Sequence, residues 1–522
     1  MLYDFDHPHT GDRSEIARRL GSKGASLWVL CHELGLPVPP GFTLVPEAAD
    51  AFREDILPAG LRGDVETALR RLEHRLSRRF GDPACPLTVS VRSGSVVSMP
   101  GMMDTVLNVG LTPATTEGLA RLTGDRLFAL NAYSRFLNMF CRIVLGLPST
   151  LSAHRTRDTD ELEHAIAALR NQAATVINID DPWAQLLATV RAVYASWNSP
   201  RAVEYRRIEG IDDSHGTAVT IQSMVFGNLD ARSGTGVVFS RDPATGENVL
   251  TGDYLPEAQG EDVVAGTHRT APVQALAVHE PAAWDALRAA VREIERHYRD
   301  LCDIEFTVES GQLWVLQARV GKRSPAAAAK IAVDMVTDPD IQLSREEALA
   351  RVPADYLSRA VRSSDAKDTE ILARGIPASP GVATGQLAFT CDEAIELAER
   401  GEAVILVRRE TSPEDVHGMG VAAGILTTLG GAMSHAAVVA RGWGIPAVVG
   451  AETMELDSAR GELRIDGQIL GRNAILCIDG GKGLVLRQSS ATRATQDPYR
   501  AVLLDWTKES HGTGATKEPV AN

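Results

Sequence analysis

The stretch AVILVRRETSPEDVHGMGVAAGILTTLGGAMSHAAVVARGWGIPAVVG, residues 403–450, alternates short apolar runs with turn residues and amphipathic segments. AVILVR reads as a strand. SPED opens a helix with Ser412 as its cap, GILTT is a second strand, SHAAVVARGWG is a helix, and PAVVG is a third strand. Strand, turn and helix in repetition predict an α/β domain, since parallel strands are joined through covering helices. Downstream, IDGGKGLVLR reads as a closing hairpin ending at Arg487. Upstream, Pro and Gly in ILARGIPASPGVATG mark the start of this domain.

The same stretch holds the sharpest chemical signal. Gly430 and Gly431 make a tight turn, Ser434 is a good N-cap, and His435 falls in the first turn of the helix that runs through Arg441. The unpaired N–H groups of a helix start favour an anion and disfavour an imidazolium. His435 is therefore expected to be neutral and nucleophilic near neutral pH, and to present an arriving phosphoryl group to the helix end. A lone histidine at a helix start is commonly structural; the GG-x-x-SH-AAVVAR setting is what singles this one out. The other twelve histidines lack that setting, and His417 reads as a surface residue.

Working outward, Leu287, Val291, Ile294 and Tyr298 recur at helical spacing. Residues 323–336 read as another helix, followed by a charged stretch that places a boundary near 340–372. CDIEFTVESGQLWVLQAR, residues 302–319, alternates as a half-buried hairpin turning at Ser310-Gly311-Gln312. Centred on Gly311, it sets Glu305 opposite Gln317, with Asp303 and Arg319 beside them. A carboxylate, an amide oxygen and a guanidinium on one face suit Mg²⁺ and a triphosphate, because Mg²⁺ is held by few protein oxygens plus phosphate. A solvated hairpin face with a surface ion pair is the other reading.

Further glycine-rich segments point the same way. VSVRSGSVVSMPGMMDTVLNVGL, residues 89–111, leads a buried strand into Arg92 and a loop with Gly94 and Gly101. It reads equally as a phosphate loop or a structural one, and its MPGMM as a lid tip or a packed loop. RSGTGVVFSRDPATGE, residues 232–247, sets Gly234, Thr235 and Gly236 before a strand. LGSKGASL puts Lys23 between glycines at a helix opening, a common setting for a phosphate-contacting lysine.

Composition bounds the alternatives. The 522 residues allow a few domains at roughly 150 residues each. With 44% hydrophobic residues a sizeable core is available, and wholesale disorder is excluded. Lys and Arg number 53 against 68 Asp and Glu, a net charge of −15, which opposes non-specific contact with nucleic acid or an anionic membrane. No run of about 18 apolar residues predicts a spanning helix. The opening MLYDFDHPHTGDRSE has no signal-peptide core, and six cysteines at 31, 85, 141, 302, 391 and 477 form no CxxC pair. Small buried residues in a cytoplasmic protein are expected.

Taken together, LGSKGASL…GLPVPPGFT, VSVRSG…SMPGMMDTVLN, GTAVTIQSMVFGN, SGTGVVFSRDPATGE, AQGEDVVAG, DIEFTVESGQLWVLQAR and ETSPEDVHGM resemble the pyruvate, phosphate dikinases of the phosphoenolpyruvate-utilising family. SMPGMMDT resembles them more than it does phosphoenolpyruvate synthases. The resemblance runs to about residue 488. It implies an α/β (α+β) architecture: an ATP-grasp nucleotide domain over 1–340, a helical and charged linker over 341–371, a swivelling β/β/α phosphohistidine domain over 372–488, and a partly ordered tail over 489–522. It implies ATP or metal contacts at Lys23, Arg92, Gly101, Arg135, Thr235, Gly236, Asp303, Glu305, Gln317 and Arg319, with Glu305 and Gln317 on Mg²⁺. His435 would be the carrier, with Gly430, Gly431, Ser434 and Arg441 supporting its turn. ATP and AMP, phosphate and pyrophosphate would be its small-molecule partners.

Two departures shape the expectation. The family's C-terminal barrel, with its acid/base cysteine, has no counterpart in 489–522, so the pyruvate-binding half is expected on a separate barrel protein. Met433 stands where plant relatives carry a regulatory threonine, and Val96 where relatives carry a basic residue, which would weaken one phosphate contact. Two other readings remain: an ATP-binding regulatory protein without turnover, and a phosphotransferase for a non-pyruvate acceptor such as an antibiotic or an alcohol.

Overall fold

In the computed structural model, residues 1–522 are described except 10, 54–57, 98, 100–101, 148–157, 265–269, 359–361, 365–369, 433, 466, 488–491, 495–496 and 513–522. The chain divides by internal packing into two units, 1–233 with 307–318, and 234–306 with 319–522. The division falls inside the 1–340 span expected for the nucleotide domain. The Cys302–Val320 hairpin contributes residues to both units.

The first unit begins with β1 (Leu2–Asp4) and α1 (Arg13–Trp28), followed by β2 (Gly41–Leu44), β3 (Val89–Gly94), β4 (Thr105–Val109), α2 (Arg126–Met139), α3 (Pro182–Ala195) and β5 (Ala218–Ser223). Its sheet runs β1–β2–β5–β3–β4, antiparallel throughout. The core lies between this sheet and the helices, where Phe42, Val91, Val106, Phe136, Phe140, Val190 and Ile221 are buried together. Buried Gln185 on α3 satisfies three backbone groups there, accepting from Gly110 N and donating to Leu111 O and Ile179 O.

The second unit opens with β6 (Gly234–Phe239), β7 (Thr251–Pro256), β8 (Ala271–Pro272), α4 (Pro281–Tyr298), β9 (Cys302–Glu309) and β10 (Gln312–Val320), in the sheet order β8–β7–β6–β9–β10. The predicted helix 287–298 is α4, with Leu287, Val291 and Ile294 buried. The predicted 323–336 run is α5 (Pro325–Thr337), capped by Ser324, which accepts from Ala327 N at 3.0 Å. It packs Ala327, Ile331 and Met335 against Phe239 and Leu301.

A short strand β11 (Arg362–Ser364) leads into β12 (Ile371–Arg374), β13 (Ile376–Ser379), β14 (Val382–Ala388), α6 (Cys391–Glu399), β15 (Val404–Arg408), α7 (Val416–Val421), β16 (Gly424–Thr427), α8 (His435–Trp443) and β17 (Ala447–Val449). Then come β18 (Met454–Asp457), β19 (Glu462–Ile465), β20 (Gln468–Gly471), β21 (Ile475–Asp479), β22 (Leu484–Leu486), β23 (Thr492–Ala494) and α9 (Pro498–Gly512). An eight-stranded sheet runs β12–β22–β21–β14–β15–β16–β17–β13, and β18–β19–β20 form a separate antiparallel sheet. β14 through β17 are parallel neighbours, as expected from the strand–helix alternation of 403–450, and β21–β22 is the expected closing hairpin. Val404, Leu406, Ile425 and Val449 pack one face with Ala436, Ala437 and Ala440 of α8; Ile405, Val407, Leu426 and Val448 pack the other. Burial on both faces explains the unbroken apolar runs.

One local reading differs. Ser412 does not cap a helix. Its backbone N–H and hydroxyl donate to the Asp415 carboxylate at 2.9 and 3.3 Å, a single 3-10 turn covers Pro413–Asp415, and α7 starts only at Val416. Within 489–522, expected as a partly ordered tail, β23 pairs antiparallel with β11, and α9 buries Leu503 completely among Ala329, Ala332, Ala348 and Val352.

Candidate functional site

On the first unit, two of the predicted phosphate-binding segments, those of Lys23 and Arg92, meet. Gly21 interrupts α1 at φ 66°, and Ser22 N donates to Ser95 O at 2.8 Å, so the helix restarts beside the end of β3. A Cβ on Gly21 would fall 1.8 Å from Gly94 O, and one on Gly94 would fall 3.2 Å from Lys23 Cβ. Glycines at 21 and 94 are thus what allow Lys23 to lie against the strand that carries Arg92. Arg92 is half-buried, and its register partners are Thr105 and Thr220. Arg135 is half-buried on α2. Gly101 lies outside the described residues, while Met99 and Met102 at the loop's ends are buried. Gln317 of β10 is buried, and its Oε1 has no hydrogen-bond partner among the described residues. An orphaned amide oxygen is the donor type that a hard cation takes.

On the second unit, Arg319 donates to Asp303 Oδ2 from Nε at 2.9 Å, and its second nitrogen lies 2.7 Å from the same oxygen. These two side chains therefore share a face, as the register centred on Gly311 requires. Burial pushes the Asp303 carboxyl up; Arg319 opposes the shift and Glu305 adds to it. Glu305 is half-buried on β9, the strand neighbouring β10. Among the described residues no three His, Cys, Asp or Glu side chains form a metal cluster.

Gly234, Thr235 and Gly236 lie within β6 rather than in a loop before it. Thr235 is buried and donates its hydroxyl to Phe306 O at 3.0 Å. A Cβ on Gly234 would meet the Tyr254 hydroxyl at 2.1 Å, and one on Gly236 would meet Phe306 Cζ at 2.7 Å. These glycines make room for the rings of Tyr254 and Phe306, which stack at 4°.

His435 opens α8. Ser434 caps the helix, accepting from Ala437 N at 3.4 Å, as expected. Gly430 holds φ 106°, a conformation for glycine, and Arg441 donates to Ala432 O at 2.7 Å and to Ala378 O at 3.2 Å. The Arg441 guanidinium is buried over the Phe239 ring, 5.8 Å from its centroid. Burial pulls its pKa down to about 10, opposed by Asp303, Asp242 and Asp253. Met433 lies outside the described residues, and His417 is exposed as expected.

The imidazole is held asymmetrically. Nδ1 lies 3.1 Å from Thr411 Oγ1, and Nε2 is buried with no partner among the described residues. Burial lowers the His435 pKa, and Asp415 and Glu414 pull it back up. Desolvation thus favours the expected neutral ring, in the same direction as the helix end. With the proton on Nδ1 and shared with Thr411, Nε2 keeps its lone pair for an electrophile. Thr411 and Asp415 stand within ETSPEDVHGM, but neither was singled out by its sequence.

A family model described as pyruvate phosphate dikinase, AMP/ATP-binding domain, matches residues 45–284 and 280–339. The chain belongs to the pyruvate phosphate dikinase family. A second model, PEP-utilising enzyme, mobile domain, matches residues 401–483, which include His435. The chain is 44% identical to pyruvate, phosphate dikinase of Rhizobium meliloti over 93% of its own length and 58% of the relative's. It is 44% identical to the chloroplastic dikinase 1 of Oryza sativa over 90% and 51%, and 39% identical to the Rickettsia felis dikinase over 98% and 60%. It therefore spans a little over half the length of these relatives. Among the described residues, no helix is long and apolar enough to cross a membrane.

Proposed function

We propose that this chain carries the nucleotide half of a dikinase reaction, with His435 Nε2 as the nucleophile. Its lone pair attacks the β-phosphorus of ATP. An N–P bond forms, the bridging P–O bond breaks, and AMP leaves with the electron pair. An oxygen of inorganic phosphate then attacks the terminal phosphorus, and pyrophosphate departs, leaving one phosphoryl group on His435. That group passes to pyruvate, or to another acceptor.

Lys23 and Arg92 would bear on phosphate oxygens, with Arg135, Gly101, Thr235, Gly236, Asp303 and Arg319 as further nucleotide contacts. Glu305 and the orphaned Gln317 Oε1 would hold Mg²⁺, which when bound neutralises phosphate charge. The observation that carries the reading is the imidazole itself, its Nδ1 engaged by Thr411 and its Nε2 buried and unpartnered at a helix start. The membership of the family and the match of 401–483 to the mobile-domain model support it.

The test is a single turnover. ATP radiolabelled at its β-phosphate, with Mg²⁺, should leave acid-labile label on the chain and release AMP. His435→Asn should abolish the label. A wild-type chain that binds ATP and takes no label would refute the reading.

A further inference from the structure

We infer that Asp415 is a positioning residue for the phosphoryl carrier: one buried carboxylate ties the Thr411 loop in the register that holds the His435 ring. The inference rests on the proposed role of His435 and adds a residue to it.

The carboxylate is almost fully covered, and its polar contacts come from three parts of the fold. Oδ2 accepts from the Ser412 backbone N–H at 2.9 Å and from its hydroxyl at 3.3 Å. Oδ1 pairs with Arg408, at the end of β15, at 3.1 Å, and takes the Cys391 thiol, in the first turn of α6, at 3.2 Å. Arg408 is itself fixed by donating to Phe389 O at 3.1 Å. A Cβ on Gly418 would fall 2.7 Å from the Cys391 sulfur, so the bare glycine of α7 leaves the thiol its place. Four donors thus converge on one anion from β15, α6 and the loop between β15 and α7.

Ser412 follows Thr411 directly, so anchoring the Ser412 N–H fixes where the Thr411 hydroxyl stands. That hydroxyl lies 3.1 Å from His435 Nδ1. The chain of contacts therefore ends at the proton that must remain on Nδ1 while Nε2 attacks. In that step the Nε2 lone pair becomes the N–P bond, the leaving oxygen takes the P–O pair, and the ring gains positive charge without losing its Nδ1 proton. Asp415 is also the largest charge pulling the imidazole toward its protonated form, so its field favours the ring as it becomes cationic. The thiol beside it is no competitor for that role, since burial, then Asp415, pushes Cys391 up to about 12. Charge-assisted bonds of this kind are individually strong, so losing the anion should slow transfer about ten- to a hundredfold.

The experiment compares wild type with Asp415→Asn, Asp415→Glu and Thr411→Val. It reads ATP binding, the rate of β-phosphate labelling per folded chain, and the imidazole ¹⁵N spectrum of His435, isolated by subtracting that of His435→Asn. Positioning predicts that Asp415→Asn binds ATP as wild type does, labels about ten- to a hundredfold more slowly, and shows both ring tautomers where wild type shows one. Asp415→Glu should recover part of the rate. Wild-type labelling with an unchanged spectrum in Asp415→Asn, whatever its thermal midpoint, would overturn the inference. Should Asp415→Asn not fold, Thr411→Val decides: the same loss upholds the inference, and wild-type labelling overturns it. If the wild-type chain takes no label, the carrier reading fails, while the tautomer spectra still decide the part assigned to Asp415.

Discussion

At the scale of single residues, His435 is held neutral by what surrounds it, and the sign of its pH dependence follows. Burial lowers its pKa from the usual value of about 6.5, against the upward pull of Asp415 and Glu414, the charged groups acting on it. The labelling rate should therefore stay flat as pH falls through the ordinary histidine range and drop only below it, a profile read from single-turnover rates at saturating ATP. The same shift is a stability term. Between the lowered folded value and the unfolded one, the unfolded chain binds the extra proton, so stability falls as pH drops through that window. His435→Asn should remove this part of the pH dependence, measured as the difference in thermal midpoint between the two proteins. Arg441 gives a second residue-scale prediction. Its guanidinium satisfies the carbonyls of Ala378 and Ala432 in a buried setting. Arg441→Met leaves both bare, at about 1–3 kcal/mol each, and denaturant titration should show a loss of that order.

At the scale of elements, α8 owes its start to Ser434 and its docking to Ala436, Ala437 and Ala440. Ser434→Ala should lower stability by about 1 kcal/mol, the usual worth of such a cap, and a chemical denaturation midpoint measures it. These features were legible because they are local. A cap three residues before the N–H that it accepts, and apolar runs such as VILV and GILT between covered faces, are written in adjacent positions. The Asp303–Arg319 pair was legible for a similar reason, since a hairpin brings close what its turn makes symmetric. What failed to show was long-range. Gly234 and Gly236 look like glycines that approach a ligand, and the structure adds that their bare Cα atoms also lie against the rings of Tyr254 and Phe306, which come from other strands. A bare Cα is required either way, and spacing alone does not say what fills the room. Ser412 looked like a cap because Ser-Pro-Glu-Asp is a common helix opening. The bond instead runs from Ser412 to Asp415, because Arg408 and Cys391 hold that carboxylate inside. Thr411 was invisible for the same reason, as its partner lies 24 positions away.

At the scale of the whole molecule, the second unit holds the proposed carrier segment by both ends. β11, before it, pairs antiparallel with β23, after it. α9 then returns to α5: Leu503 is fully buried there, and Lys330 donates to the Tyr499 hydroxyl at 3.0 Å while lying 4.6 Å from the centre of its ring. Arg345 bonds Glu509 at 2.6 Å and lies over Trp506, and Tyr356 donates to Asp497. Two tethers confine a carrier more than one does. A single long tether dilutes the attached group, because effective concentration falls as the connection lengthens. Leu503→Asp puts an unpaired charge in this seam and should detach α9, a cost larger than one helix of this length can absorb. The nucleotide contacts proposed above lie elsewhere, so ATP binding should be unchanged. Labelling of His435 should slow, because the imidazole then spends less time near the nucleotide. Added separately, a peptide of residues 498–512 should restore part of the rate if the clamp acts by packing alone. Single-turnover labelling, with circular dichroism to show that the remaining fold is intact, measures both effects. A wild-type rate in Leu503→Asp, with α9 shown by hydrogen exchange to be released, would mean that one tether suffices and that the β11–β23 ribbon alone keeps the carrier in range.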